Sequence, residues 1–290
     1  MFSRRILLLV CLVSVTISLR AQVTTREVTD DHDYEAPLAF EALNSEGDDY
    51  APSWDPHTGK LMFTSERSGW AMVYCCAVAD NTDIRPAAGT FNEVGQHRAF
   101  VTFTRDGEAY GAVFMRRQRQ SFPGIVSVLR DNGSLNAGRP VDGLAGEFFC
   151  SHPAVNSDGT RLVVSMERVG GEKGLDLWIC ERRNDRTWSE PQPLSDIVNS
   201  SGHEISPRFI GQDSLIYASN GYGGKGGYDL FLTVYRNGSW QEPEPLEWMN
   251  SEFDDSDAAL LPDGSFVFAS DRPGGKGGLD LYVSRRRKQR

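Results

Sequence analysis

The chain has 290 residues, with 30 Lys and Arg against 40 Asp and Glu for a formal charge of −10. So acidic a balance excludes the basic footprint of a nucleic-acid-binding protein. Five cysteines over this length make no disulfide scaffold.

Residues 1–21 read as a secretory signal. Arg4 and Arg5 precede the apolar run Ile6-Leu7-Leu8-Leu9-Val10-Cys11-Leu12-Val13, and the small Ala21 precedes Gln22. The run is shorter than the roughly 20 residues a membrane span needs, and no later stretch is more apolar. Cys11 sits inside the run behind Leu9 and Val10, which does not suit lipid attachment. Removing the signal takes Arg4, Arg5 and Arg20, so the charge moves from −10 to about −13. Residues 22–33 read as a linker.

From residue 34 to 284 the chain repeats at about 50 residues. Short apolar strands recur at Leu61-Met62-Phe63-Thr64-Ser65, Leu162-Val163-Val164-Ser165, Leu215-Ile216-Tyr217-Ala218-Ser219 and Phe266-Val267-Phe268-Ala269-Ser270. Both alternating faces are apolar, as in a strand covered on two sides. Tight turns precede them near residues 59, 107, 159, 213 and 264, several as Asp-Gly, the favoured hairpin dipeptide. A glycine-rich turn follows, best developed at Gly221-Tyr222-Gly223-Gly224-Lys225-Gly226-Gly227 and Pro273-Gly274-Gly275-Lys276-Gly277-Gly278. A looser copy runs from Gly170 to Gly174. Each opens a third strand with Asp176, Asp229 or Asp280 near its start, and a fourth strand carries Trp-x-x-Pro at Trp188 and Trp240. Prolines there suit an outer edge, where a missing N–H is tolerated.

Four antiparallel strands per unit, repeated without helical periodicity, define an all-β fold, a β-propeller of five four-stranded blades, with six as the alternative count. The second unit lacks the glycine turn; Arg116-Arg117-Gln118-Arg119-Gln120-Ser121 is expected to form a polar loop in its place. The fifth unit stops after its third strand, whereas Tyr34-Glu35-Ala36-Pro37-Leu38 matches the missing fourth. The N-terminal strand should therefore complete the last blade and close the ring, making one domain. The basic residues 285–290 are expected to be a frayed tail.

Gly221 to Gly226 matches G-x-G-x-x-G formally, but a strand follows it, and a dinucleotide site needs a helix N-terminus there. Its recurrence points to a structural turn whose glycines take positive φ. Asp176, Asp229 and Asp280 are then turn-holding carboxylates. The loops between blades are acidic: Asp48 and Asp49, Glu147, His203 and Glu204, Asp254 and Asp255. Each of these residues alone is best explained as capping its loop or tying to the next blade. Together they mark the expected binding face, for a cation or a basic or polar partner. There is no G-x-S-x-G or H-E-x-x-H, so no catalytic residue, metal or cofactor is expected. Of Cys75, Cys76, Cys150 and Cys180, only Cys150 with Cys180 is placed to pair within one repeat, and that pairing is left open.

The motifs Asn-Ser-x-Gly-x-Glu-x-Ser-Pro, Asp-Gly, Leu-x-Phe-x-Ser, Asp-Arg-x-Gly-Gly-x-Gly-Gly-x-Asp-Leu-Tyr and Trp-x-x-Pro-x-x-Leu resemble the WD40-like repeat known as PD40, which builds the TolB propeller. The resemblance covers residues 34–284, strongest in the last three units. The glycine-rich version is similar to propellers fused to OmpA-like domains in bacterial envelope proteins. No OmpA-like sequence follows the repeats here, so peptidoglycan anchoring is not carried over. TolB-type propellers have six blades, so their partner surfaces are not carried over either. The resemblance implies a non-enzymatic scaffold or binding module, exported to the periplasm or outer membrane. It would be a monomer within a larger assembly of envelope or secretion-machinery proteins, neither spanning the membrane nor binding nucleic acid. A carbohydrate-binding or glycoside-hydrolysing funnel, with acidic residues at its centre, is the alternative.

Overall fold

The computed structural model describes residues 31–287, apart from residues 78–79, 94–95, 118–119, 147 and 168–173. The expected signal segment, Glu147 and the last three tail residues lie outside the described residues. Strand β1 (Leu38–Ala39) comes first. The first blade is β2 (Asp49–Asp55), β3 (Lys60–Ser65), β4 (Met72–Ala77) and β5 (Asp80–Pro86). The second is β6 (Arg98–Phe103), β7 (Ala109–Arg117), β8 (Gln120–Asp131) and β9 (Ser134–Pro140). The third is β10 (Cys150–Val155), β11 (Arg161–Glu167), β12 (Leu175–Glu181) and β13 (Gln192–Pro193). The fourth is β14 (Glu204–Ile210), β15 (Ser214–Ser219), β16 (Asp229–Arg236), β17 (Ser239–Trp240) and β18 (Glu244–Pro245), the last two both pairing with β16. The fifth is β19 (Asp255–Leu260), β20 (Phe266–Ser270) and β21 (Asp280–Ser284), completed by β1. The inner strands β2, β6, β10, β14 and β19 pack each beside the next, and β19 returns to β2, so five blades close one ring.

Closure comes from the chain ends. Leu38 pairs with Val283 and Ala39 with Tyr282, antiparallel. The Phe40 amide donates to the Leu281 carbonyl at 2.7 Å and the Glu35 amide to the Arg285 carbonyl at 2.9 Å. The pairing runs beyond β21: Tyr34 bridges Arg286, and the Arg287 amide donates to the Asp33 carbonyl at 2.7 Å. Residues 285–287 thus continue the sheet edge instead of fraying, because unpaired N–H and C=O groups of residues 33–35 face them.

The core sits between the blades. Among the described residues, five buried clusters occupy the five junctions, such as Phe63, Tyr74, Val267 and Leu281 between the fifth and first blades. The second strands are buried on both faces, which is why their sequences are unbroken apolar runs. Burying one such side chain contributes about 1.5–3 kcal/mol. Polar ties reinforce the junctions: Arg130 on the second blade grips Asp55 on the first through Nη1 at 2.9 Å and Nη2 at 2.8 Å.

The second blade departs from expectation. Arg116 and Arg117 do not enter a polar loop; they pair with Ser121 and Gln120 as a continuation of the β7–β8 hairpin. With no glycine-rich loop to form, the ladder extends as far as the Arg117–Gln120 pair. In the fourth unit the tight turn, expected at residues 212–213, has its left-handed residue one place earlier, at Gly211 with φ +73°.

Every inner strand carries the same irregularity. The register slips within each, between Tyr50 and Ser53 in β2 and likewise in β6, β10, β14 and β19. At the slip stands a non-glycine residue in the left-handed region: Ala51 (φ 51°), Phe100 (55°), His152 (51°), Ser206 (54°) and Asp257 (55°). A bulge of this kind costs about 1–2 kcal/mol in backbone strain and re-aims a side chain.

Candidate functional site

The acidic loops are tied into the framework. Asp49 is fully buried; its Oδ2 accepts from the Ser45 amide at 2.6 Å and hydroxyl at 2.8 Å, and its Oδ1 accepts from Arg67 at 3.0 Å. Asp255 repeats the arrangement with Ser251 at 2.6 and 2.9 Å and with Arg272. The Ser-x-Arg after the second strand supplies both cations, and each guanidinium stacks over two rings of its blade, Arg67 on Phe63 and Tyr74, Arg272 on Phe268 and Tyr282. In the fourth blade Gly221 stands where the arginine would be, and buried Glu204 accepts from the hydroxyls of Ser200 and Ser219. Burial pushes the Glu204 carboxyl up, against the pull of those hydroxyls. His203 is half-buried, its amide donating to Asn220 at 2.7 Å.

Asp48 and Asp254 reach the neighbouring blade. Asp48 Oδ1 accepts from the Leu279 amide at 3.0 Å, and Asp254 Oδ1 from the Tyr228 amide at 2.8 Å. The expected open face of Asp48, Asp49, His203, Glu204, Asp254 and Asp255 is therefore a set of loop caps and blade-to-blade ties. Buried carboxylates hold these loops because only hydrogen-bonded charges tolerate desolvation.

The glycine-rich turns are the other half of each joint. Asp280 Oδ2 accepts from the amides of Lys276 at 2.8 Å and Gly277 at 2.9 Å, and Asp229 Oδ2 from Gly226 at 3.1 Å. Asp176 lies opposite Met166 at the start of β12. Positive φ was the expected reason for the glycines, but in these two turns only Gly223 and Gly274 adopt it. Space explains the others. A Cβ on Gly226 would lie 1.9 Å from the Phe253 carbonyl oxygen, and one on Gly277 2.5 Å from that of Gly47. Each turn presses against the acidic loop of the next blade, and Lys276 caps that loop by donating to the Glu41 carbonyl at 2.6 Å.

Sequence reasoning passed over the axis of the ring. The five bulge residues and their neighbours converge there with unlike side chains. One wall is aromatic: Tyr50 meets Phe100 at 5.4 Å between centroids, Phe100 meets His152 at 4.1 Å, and Phe149 lies 6.3 Å from His152. The opposite wall is polar. Asp257 accepts from Ser256 at 3.0 Å, and the Ser206 hydroxyl lies close enough to favour the ionised carboxylate without reaching full hydrogen-bond geometry. Arg208 crosses from the fourth blade, donating to Ser53 Oγ at 3.1 Å, the Pro52 carbonyl at 3.2 Å and the Val101 carbonyl at 3.4 Å. Burial pushes Asp257 up despite Ser206, Ser256 and Arg208, and lowers Arg208 to about 10 and His152 to about 3. His152 is thus a neutral imidazole, its buried Nδ1 without a hydrogen-bond partner.

Cys75, Cys76, Cys150 and Cys180 carry no disulfide; burial raises the Cys76 thiol to about 11 and Cys180 to about 12. Among the described residues no three His, Cys, Asp or Glu side chains group as a metal site would, and no helix is long and apolar enough to cross a membrane.

No protein-family model matches the chain, and neither does any curated protein. Solved structures do. A thermostable family-43 glycoside hydrolase superposes with a TM-score of 0.60 at 13% identity, over 87% of this chain and 93% of that one. The α-L-arabinofuranosidase from Lactobacillus brevis gives 0.58 at 10% identity, over 87% and 94%. TolB from Acinetobacter baumannii gives 0.50 at 12% identity, over 86% of this chain and 56% of that one. At such identities the likeness is one of fold: a five-bladed β-propeller, distantly similar to both groups.

Proposed function

We propose that the chain is an exported, non-enzymatic binding module of a bacterial cell envelope, built of PD40-type repeats, and that its axial funnel receives a segment of an envelope or secretion-machinery protein. The observation that carries this reading is the broken symmetry at the axis. Five equivalent, strained backbone positions hold Ala51, Phe100, His152, Ser206 and Asp257, whereas the joints of the first and fifth blades repeat almost residue for residue. Backbone strain of this kind concentrates at functional sites. An aromatic wall facing a polar wall suits a segment with one apolar and one hydrogen-bonding side. The non-enzymatic part is supported by the carboxylates themselves. Hydrolysis of a glycoside needs two acids about 5–9.5 Å apart in contrasting surroundings. Here Asp257 is set beside Arg208, Asp48 holds Leu279, and Glu66 accepts from Tyr50 at 3.4 Å.

A photo-crosslinking amino acid at position 100 tests the reading, with position 129 on the outer flank as control. A defined envelope protein should couple at 100 and not at 129, and Asp257→Asn should weaken the coupling. Glycan turnover by the purified protein that disappears in Asp257→Asn would overturn the proposal in favour of a hydrolase.

A further inference from the structure

A groove of about 500 Å³ opens on the outer flank between the second and third blades, away from the axis. Four arginines line it: Arg139 from the end of β9, and Arg182, Arg183 and Arg186 from the turn between β12 and β13. Such a concentration is unusual on a chain of net charge −10. Two of the four are anchored. Arg182 donates to Tyr110 Oη at 2.7 Å, pairs with Glu108 at 3.2 Å and lies 4.7 Å from the Trp188 ring centre; Arg186 also pairs with Glu108. The other two are not: among the described residues, the guanidinium groups of Arg139 and Arg183 make no ion pair. Of the groove's own acids, Asp185 lies near enough to Arg183 to feel its charge, and none forms an ion pair with either arginine among the described residues. Asp185 is turned to the Thr187 amide at 3.0 Å and hydroxyl at 2.6 Å, while Asp142 and Glu190 sit exposed at the rim.

From this geometry we infer a binding site for an anionic oligosaccharide, its acidic groups forked by Arg139 and Arg183 and a sugar face set against the partly exposed Trp188, which meets the buried Tyr110 edge to face at 5.8 Å. Planar guanidinium forks match carboxylate and sulfate oxygens. The volume lies within the range of small-ligand sites. An acidic peptide fits less well. Pro140, Pro191 and Pro193 mark the strand edges beside the groove, so a peptide cannot add there as a further strand.

The test is calorimetric titration of the mature protein with an oligogalacturonate, its neutral reduced counterpart, inorganic sulfate and a poly-glutamate peptide. The charged oligosaccharide should bind, weaken as salt rises, and lose at least about tenfold in affinity in Arg139→Gln/Arg183→Gln, since each lost charge-assisted fork is worth roughly that factor. Both side chains are exposed, so the double variant should melt with the wild type. Binding unchanged in the variant, equal binding of the neutral sugar, sulfate alone binding as tightly, or the peptide binding in preference to the sugar would each overturn the assignment. Funnel variants such as Asp257→Asn should leave this binding intact, which separates it from the proposed partner site.

Discussion

Tyr34 is the most informative residue for the closure of the ring. It is 2% exposed, stacks on Trp248 at 5.0 Å and meets Phe266 at 5.4 Å, although it lies more than 200 residues from both in sequence. Truncating a fully buried aromatic to alanine costs about 3–5 kcal/mol. In a domain of this size each kcal/mol lowers the melting temperature by roughly 2–4 °C. Tyr34→Ala should therefore melt about 6–20 °C below the wild type, with the near-ultraviolet signal of Trp248 lost in the same transition. Leu38, four residues on in the same segment, is 58% exposed, and Leu38→Ala should stay within about 2 °C. Differential scanning calorimetry of the purified chain decides the matter. If Tyr34→Ala melts with the wild type, the N-terminal segment does not close the fifth blade in solution. Deleting residues 22–45 should be more damaging than either substitution.

Further outcomes follow from single contacts. Burial opposes ionisation of Asp55, yet bonds from Arg130 and Thr58 hold its carboxyl below the ordinary range. Its contribution is complete above the unfolded value, about 3.9, and is lost as pH falls through the lower folded value. Asp55→Asn should cost about 3–5 kcal/mol at neutral pH, a gap to the wild type that urea titrations should show narrowing at the acid end. His152, held neutral by burial, should show ring-proton resonances that do not titrate between pH 8 and 5; a midpoint near 6.5 would refute its placement. Its lowered value means stability is lost as pH falls from about 6.5 towards 3, since only the unfolded chain then gains the proton. Gly277→Ala forces a Cβ against the Gly47 carbonyl and should destabilise by about 1–3 kcal/mol in chemical denaturation, with Gly226→Ala behaving alike at the preceding junction.

The ring was legible in the sequence because its joints recur. Asp176, Asp229 and Asp280, the Ser-x-Arg at Ser65 and Ser270, and the Trp-x-x-Pro at Trp188 and Trp240 recur at a spacing no local motif would show. The mate of the fifth blade could be found at Tyr34 for the same reason. What stayed hidden depends on contacts between loops far apart in the chain. Gly277 is a glycine because Gly47 lies against it, and the adjacent Asp48 and Asp49 have opposite duties: one crosses to the next blade, the other turns inward to Arg67. The axis was hidden for another reason. Ala51, Phe100, His152, Ser206 and Asp257 share a position but not a chemistry, so a search for recurrence passes over them. Their common signature, a positive φ, exists only in three dimensions.

The pairing of Leu38 with Val283 also sets the order in which the molecule can mature. Blades one to four are local in sequence and can form as the chain emerges, but the fifth sheet waits for both extremities. Until then β21 offers a bare ladder to any passing strand, including that of another nascent copy. Contacts of such long separation form slowly, because a loop of some 240 residues must close first. The late step is thus the zipping of one short strand, and a holding factor that shields that edge would raise the yield of folded protein more than one acting on the core.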